Sequence, residues 1–287
     1  MDRQTKAEEI GGECMNETIT IMNELAAAEA FDKQAPVFDD LYGEDEIIRY
    51  KRQRVRDHVL KFLSPASSIL ELNAGTGEDA IYFAKLGHCV HATDISVGMQ
   101  LTLKEKVARE DLGELITQEQ RSYTDLENLY DRGPYDHIFS NFAGLNCTED
   151  LEKVLHSFNQ ILKPGGHVTL VILPRFCLWE LLLVFKGKFK TAFRRLGGRS
   201  ANAKVEGRKF KCWYYNPSFI KKVLAKDYEP ILLEGLCCIV PPSYIEGFAE
   251  KHPRIYKKLV SLENCWKYNW PWRSVGDYYI LTLRKRN

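Results

Sequence analysis

The sequence predicts an α/β fold: a doubly wound, mostly parallel sheet with helices on both faces. Three observations predict it. Strand-like and helix-like segments alternate from Ile69 to Leu173, a glycine turn ends the first strand, and acidic residues stand at or near strand ends. Alternation of this kind implies parallel strands joined by right-handed crossovers, so the connecting loops gather at one edge of the sheet.

The strands read as Ile69–Asn73, Cys89–Asp94, Leu115–Glu119, Tyr135–Phe142 and His167–Leu173, with a helix over Glu149–Leu162 before the last. After the first strand the chain turns at Gly75 and Gly77, and a helix opens at Glu78. Such a turn lets a ligand approach the backbone and aims free helix N–H groups at it. The spacing Gly75-x-Gly77-x-x-Ala80 also satisfies a dinucleotide fingerprint, and any tight turn can use two glycines. Glu71 separates these readings. A carboxylate at the strand tip suits a cationic amine and repels a pyrophosphate, which points to S-adenosylmethionine with its ammonium and sulfonium groups. Asp94 closes the second strand and suits the hydroxyls of a ribose.

Four segments in order strengthen that choice: Glu71 with Gly75 and Gly77, then Thr93-Asp94-Ile95-Ser96, then Tyr135 to Phe142, then Leu162 to Val168. With them, roughly Phe31 to Pro174 resembles the class I S-adenosylmethionine-dependent methyltransferases, small-molecule type, whose first motif is acid-x-Gly-x-Gly-x-Gly. Asn73 replaces its first glycine. The resemblance implies a Rossmann-like sheet whose last strand is antiparallel, the place taken here by Val275–Leu283. It implies S-adenosyl-L-methionine as cofactor, held by Glu71, Asn73, Ala74, Gly75, Gly77, Asp94, Ile95, Ser122, Tyr123, Asn141 and Phe142. The pattern Phe31-Asp-x-x-Ala-x-x-Phe38-Asp39 is similar to the leader of quinone-biosynthesis methyltransferases, which folds over the cofactor as a lid. A helical layer that merely covers the sheet fits the pattern equally.

Residues 1–64 are expected to form that helical lid or cap, 65–174 the cofactor-binding core, and 175–287 a substrate-side insertion with the final strands of the same sheet. In the first part Ile19, Met22, Leu25 and Ala26 recur at helical spacing, and a second helix is expected over Glu44–Phe62. Arg49, Arg52, Arg54 and Arg56 either meet a cofactor carboxylate or stand as solvated charges. Met15 is an alternative start, because Met1 to Cys14 is polar and unpatterned.

The chain of 287 residues has net charge +1 and 45% hydrophobic content, enough for one large core and no global bias toward nucleic acid or membrane. Its 8 cysteines form no C-x-x-C pair and no zinc spacing, so no metal is expected. No signal peptide or long uncharged apolar run is evident, which suggests a reducing cytoplasm, with peripheral membrane contact allowed. His88, His137 and His167 fall at strand starts, His91 inside a strand, and no catalytic residue is assigned. Tyr123, Glu180 and a C-terminal tyrosine are the guesses for a general base.

The C-terminal part should choose the substrate. From Lys186 to Lys211 ten cations face one acid, Glu206, and Phe185, Phe189, Phe193 and Leu196 are spaced to share a helical face. A basic amphipathic helix over 185–211, ended at Gly197-Gly198, reads as a membrane-surface contact, as a lid, or as an ordinary helix with core-facing phenylalanines. Nucleic acid is the weaker use of those charges. Beyond it lie many aromatics, and Tyr42, Trp179, Tyr214, Tyr215, Tyr244 and Arg273 are the candidate contacts to a hydrophobic acceptor, aromatic or lipid-like. One or two helices are expected within Tyr244–Leu262. The expected function is methyl transfer to that small molecule. The alternative is a non-catalytic or rewired member of the fold that binds the cofactor or a partner.

Overall fold

A computed structural model of the chain describes residues 20–129 and 132–287. Cys14, Met15 and Ile19 lie outside the described residues. Helix α1 spans residues 20–34. A 3-10 turn at Ala35–Val37 leads into α2 (Phe38–Gly43), and α3 follows over Glu46–Val59. Asp45 starts α3 because its carboxylate accepts the Ile48 N–H at 2.8 Å, meeting one donor that the first turn leaves unpaired.

The core then alternates as expected: β1 (Ser68–Leu72), α4 (Glu78–Lys85), β2 (Cys89–Asp94), α5 (Val97–Arg109), β3 (Ile116–Gln120), β4 (Tyr135–Ser140), α6 (Leu151–Ile161) and β5 (Leu162–Ile172). β5 begins before Pro164-Gly165-Gly166 rather than after it, and the pairing with β4 shifts register between Tyr135 and His137 to take up the turn. The C-terminal part continues with α7 (Leu178–Leu182), α8 (Phe189–Phe193), β6 (Ser200–Val205), β7 (Arg208–Trp213), α9 (Pro217–Val223), β8 (Tyr228–Leu236), α10 (Phe248–Lys251), α11 (Pro253–Trp266) and β9 (Tyr278–Lys285).

One seven-stranded sheet runs in the order β3-β2-β1-β4-β5-β9-β8. β1 to β5 are parallel, and β9 runs antiparallel to both of its neighbours. Helices cover both faces, so the central strands read as apolar runs. In β1 Ile69, Leu70 and Leu72 are fully buried. α6 shows how a face is covered: Leu151, Val154, Leu155, Phe158 and Ile161 recur at helical spacing and pack on β1, β4 and β5. Val55 and Val59 of α3, Phe83 of α4 and Leu103 of α5 pack on the opposite face. Strand order reverses around β1, where β2 and β4 leave on opposite sides. That is where an open α/β sheet offers a crevice at its carboxyl edge.

The basic stretch departs from expectation. No single helix spans 185–211. Gly187 takes a left-handed conformation (φ +69°) that stops the first helical turns after Lys186. α8 is a separate five-residue helix, and residues 200–213 form a hairpin. Ala201, Ala203 and Val205 alternate with the exposed Asn202 and Lys204, a period of two. Glu206 and Gly207 form the two-residue turn, both with positive φ (+46° and +80°), which suits the twist of a hairpin. The hairpin packs on α1, with the Phe210 and Phe31 rings 6.1 Å apart. The phenylalanines of 185–193 are exposed, so they are not core-facing either. Among the described residues no helix is long and apolar enough to cross a membrane.

Candidate cofactor and active site

Across the carboxyl edge of the sheet, the site is built strand by strand. β1 supplies Glu71 and ends in the turn Asn73 to Gly77. Asn73, Gly75 and Gly77 all have positive φ (+49°, +57° and +78°), so Asn73 adopts the backbone form that a first glycine would take. Asparagine tolerates this region, and its side chain is used: Ser140 donates to Oδ1 at 2.6 Å and Nδ2 donates to the Asn141 carbonyl at 3.0 Å. A Cβ on Gly77 would run into Leu103, so that glycine closes the helix onto α5.

β2 supplies Asp94, whose two oxygens accept the Gly75 N–H and the Ser96 N–H, each at 2.9 Å. Burial raises the Asp94 pKa, and those two N–H groups hold back part of the rise. Behind β1, Asp79 accepts from Arg56 and Asn141, both at 2.7 Å. Glu71 is different. It is buried, its Oε2 has no hydrogen-bond partner among the described residues, and burial together with nearby Asp79 pushes its pKa well up.

The N-terminal segment lies over this edge, clipped to it at regular intervals. Asp32 accepts from Ser96 Oγ at 2.5 Å and from the Gly98 N–H at 2.8 Å, the start of α5. Asp39 accepts from Thr76 Oγ1 at 2.6 Å within the glycine turn and pairs with Lys106 at 2.8 Å. Glu24 accepts from Ser122 at 2.6 Å and Thr124 at 3.2 Å beyond β3. Burial raises its pKa, and those hydroxyls moderate the rise. The repeated Phe-Asp pattern is thereby explained: each aspartate fastens the segment while Phe31 and Phe38 turn inward.

Between the segment and the edge lies a cavity of about 160 Å³. Glu71, Asn73, Ala74, Gly75, Asp94, Ile95, Tyr123, Asn141 and Phe142 line it. Of the expected cofactor contacts, only Gly77 and Ser122 stand outside its wall, one packed on Leu103 and the other bonded to Glu24. Glu24, Phe31, Phe38, Asp79 and Cys147 also line it, outside the expected contacts, as does Arg52, one of the four arginines expected either at a cofactor carboxylate or in solvent. The four arginines of α3 separate cleanly. Arg49 pairs with Glu46 on the surface, Arg54 is buried against Glu234 and Glu263, Arg56 holds Asp79, and Arg52 faces the cavity.

The expected substrate contacts lie elsewhere among the described residues. Tyr42 packs on Phe38 with tilted rings (centroids 4.7 Å apart, planes at 60°) and accepts from Gln34. Tyr214 is buried beside Arg195, and Tyr215 donates to the Thr148 carbonyl at 2.6 Å and stacks on Phe219. Tyr244 sits near Cys177, Arg273 borders a separate shallow groove with Lys221, and Trp179 is half-buried on α7 outside the cavity wall. Of the guessed bases, Tyr123 lines the cavity, but burial raises its phenol pKa well above the usual value. Glu180 is buried away from the cavity and taken by Arg194 (2.9 Å) and Arg195 (2.8 Å). His137 lies on the opposite edge, bonded to Thr169 at 3.0 Å, with burial lowering its pKa to about 3.

Residues 69–166 match the family model described as a methyltransferase domain. A demethylmenaquinone methyltransferase of Bacteroides fragilis is 30% identical over 167 residues, covering 54% of this chain and 64% of that protein. The chain thus spans less than two thirds of the length of the curated relatives it matches. Among solved structures, the fold is similar to the 1,6-didemethyltoxoflavin-N1-methyltransferase of Burkholderia thailandensis, solved with its substrate and S-adenosylhomocysteine. That likeness has a TM-score of 0.55 at 15% identity and covers 93% of this chain and 91% of the other. The cyclase SpnF is similar at a TM-score of 0.56 and 14% identity, over 91% and 96% of the two chains, so the fold alone does not fix the chemistry. The glycine turn with its acids at Glu71 and Asp94, the strand order and the match over residues 69–166 agree: the chain carries a methyltransferase domain and is similar in fold to the class I S-adenosylmethionine-dependent methyltransferases.

Proposed function

We propose that this chain transfers a methyl group from S-adenosylmethionine to a hydrophobic small molecule, aromatic or lipid-like. The observation that carries the reading is the unpartnered Glu71 carboxyl at the floor of a mostly apolar cavity under the N-terminal segment. A buried carboxyl without a partner is costly, and a ligand cation is what would relieve it. The residues present fit the cofactor. Glu71 would hold the ammonium, Arg52 the carboxylate, and Asp94 the ribose hydroxyls. Glu24 and Tyr123, beyond β3, would bound the nucleobase end. When bound, the cofactor supplies a methyl group made electrophilic by its sulfonium.

The protein's share is to orient the acceptor and exclude water. Phe31, Phe38, Phe142, Ala27, Ala28 and Met99 make the walls dry, which suits in-line displacement by an acceptor that is itself acidic. An acceptor that must lose a proton would need a base as well. The demethylmenaquinone relative supports an apolar, ring-bearing acceptor.

The test is calorimetry with S-adenosylmethionine, followed by mass spectrometry of an extract incubated with protein and labelled donor. Binding that Asp94→Ala abolishes, with label gained by an apolar compound, is expected. No binding, or wild-type binding by Asp94→Ala, would overturn the cofactor assignment. Tight binding with no methylated product across phenolic and lipid acceptors would favour the rewired alternative.

A further inference from the structure

Residues 182–196 leave a patch that the site does not use. They follow β5 at its carboxyl end, so they stand on the same edge of the sheet as the cavity. Phe185 is 87% exposed and Phe189 58%, and Leu182, Phe193 and Leu196 are each 40–49% exposed. Large aromatics exposed together mark a contact surface more often than chance. Lys186, Lys188 and Lys190 are interleaved with them, are exposed, and form no ion pair among the described residues. From Leu181 to Val205 the chain has no acidic residue.

The patch is nevertheless firmly seated. Below it, Arg195 is 3% exposed and donates to Glu180 (2.8 Å), to Asp277 Oδ1 (2.7 Å) and to the Asp277 carbonyl (2.9 Å). Arg194 also donates to Glu180. The protein therefore spends buried ion pairs on holding outward a surface made of phenylalanine and lysine.

We propose that the segment 182–196 docks on an anionic lipid surface, with Phe185 and Phe189 entering the interfacial layer and the three lysines meeting headgroup phosphates. Charge decides the occupant. A second copy of the chain joined by a two-fold axis would press two lysine rims together, and protein interface cores are depleted of lysine. An anionic bilayer accepts both parts of the patch, the rings in its boundary and the cations in its surface potential. The inference stands independently of the methyl-transfer reading. If both hold, an apolar acceptor dissolved in that bilayer meets the protein on the edge that carries its cavity.

The test is co-sedimentation of the full chain with vesicles of phosphatidylcholine alone, or of phosphatidylcholine with about one third phosphatidylserine. Binding to the anionic vesicles only, released at high salt, is expected. Phe185→Ser with Phe189→Ser should cut partitioning by about tenfold or more, and each of Lys186→Gln, Lys188→Gln and Lys190→Gln by about fivefold. These side chains are exposed, so the melting temperature should not move, and cofactor binding should persist. Absence of vesicle binding, or binding indifferent to all five substitutions, overturns the proposal. So does self-association in sedimentation equilibrium that Phe185→Ser abolishes, which would give the patch to a second copy.

Discussion

Two of the clusters of buried acids among the described residues differ in who balances the charge. Glu180 and Asp277 are closed by Arg194 and Arg195, and every charge there has a protein partner. Around the glycine turn, Asp79 is answered by Arg56 and Asp94 by backbone N–H groups, but Glu71 keeps a bare oxygen. The electrostatics follow. Burial raises the Glu180 pKa, yet the two arginines overcome that and leave it lowered, whereas Glu71 is driven up. A closed cluster is scaffold. An open one waits for a cation from outside.

Breaking the closed cluster should give the largest effect. Glu180→Gln leaves buried Arg195 with Asp277 as its one remaining acidic partner and takes the acid from Arg194, and should cost about 3 kcal/mol of unfolding free energy in urea. Cofactor affinity of the folded fraction should be unchanged. A stable Glu180→Gln variant would end the distinction between the clusters. Glu71→Gln should do the reverse. It should weaken S-adenosylhomocysteine binding by about 2 kcal/mol, roughly 30-fold, in calorimetry. The empty protein should melt no lower than wild type, because an uncompensated acid has been removed.

The pH responses should have opposite signs. The Glu71 pKa is raised on folding, so its contribution to stability falls as pH rises from the unfolded carboxyl value through the raised one. The Glu180 pKa is lowered, so its contribution is present above the unfolded value and lost as pH falls. For binding, a ligand ammonium favours the ionised form of Glu71, so affinity should tighten as pH rises toward the raised value, with a proton released on binding below it. Calorimetry in buffers of different ionisation heat counts that proton. A count of zero in wild type, or one persisting in Glu71→Gln, would show that another group is the receptor.

These expectations also mark how far the chain is legible without its fold. Glu71, Gly75 and Asp94 could be read because strand, turn and helix are local, and the acid and glycines need only a few neighbours to have meaning. Asp32 and Asp39 lay in a visible pattern whose purpose, clipping to Ser96 and Thr76, required the sheet. The arginines of α3 could be listed but not phased. Which one faces the cavity depends on how α3 packs against α4 and β8, which periodicity does not state. Tyr214, Tyr215 and Tyr244 look like pocket residues and are placed by packing elsewhere. The phenylalanines of the basic stretch have a helical period, although Ala201-x-Ala203-x-Val205 followed by Glu206-Gly207 is a hairpin signal. Cation content masked the alternation.

The smallest effect tests whether Asn73 serves the turn as a substitute glycine or as a prop for the loop after β4. Its side chain fills the space above Gly144, where an added Cβ would collide with it. Gly144 has no positive φ, so alanine is barred there by contact and not by conformation. Gly144→Ala alone should therefore cost about 1–2 kcal/mol from overpacking. Asn73→Gly gives up the bonds to Ser140 and Asn141 but relieves a left-handed non-glycine residue, for a net loss of about 1 kcal/mol. In Asn73→Gly/Gly144→Ala the collision is gone, and the double variant should be more stable than the sum of the single losses by about 1 kcal/mol. Cofactor affinity in Asn73→Gly should stay near wild type, because glycine holds the same backbone. Strict additivity in urea midpoints, or a cofactor loss as large as that of Glu71→Gln, would move Asn73 from prop to ligand contact.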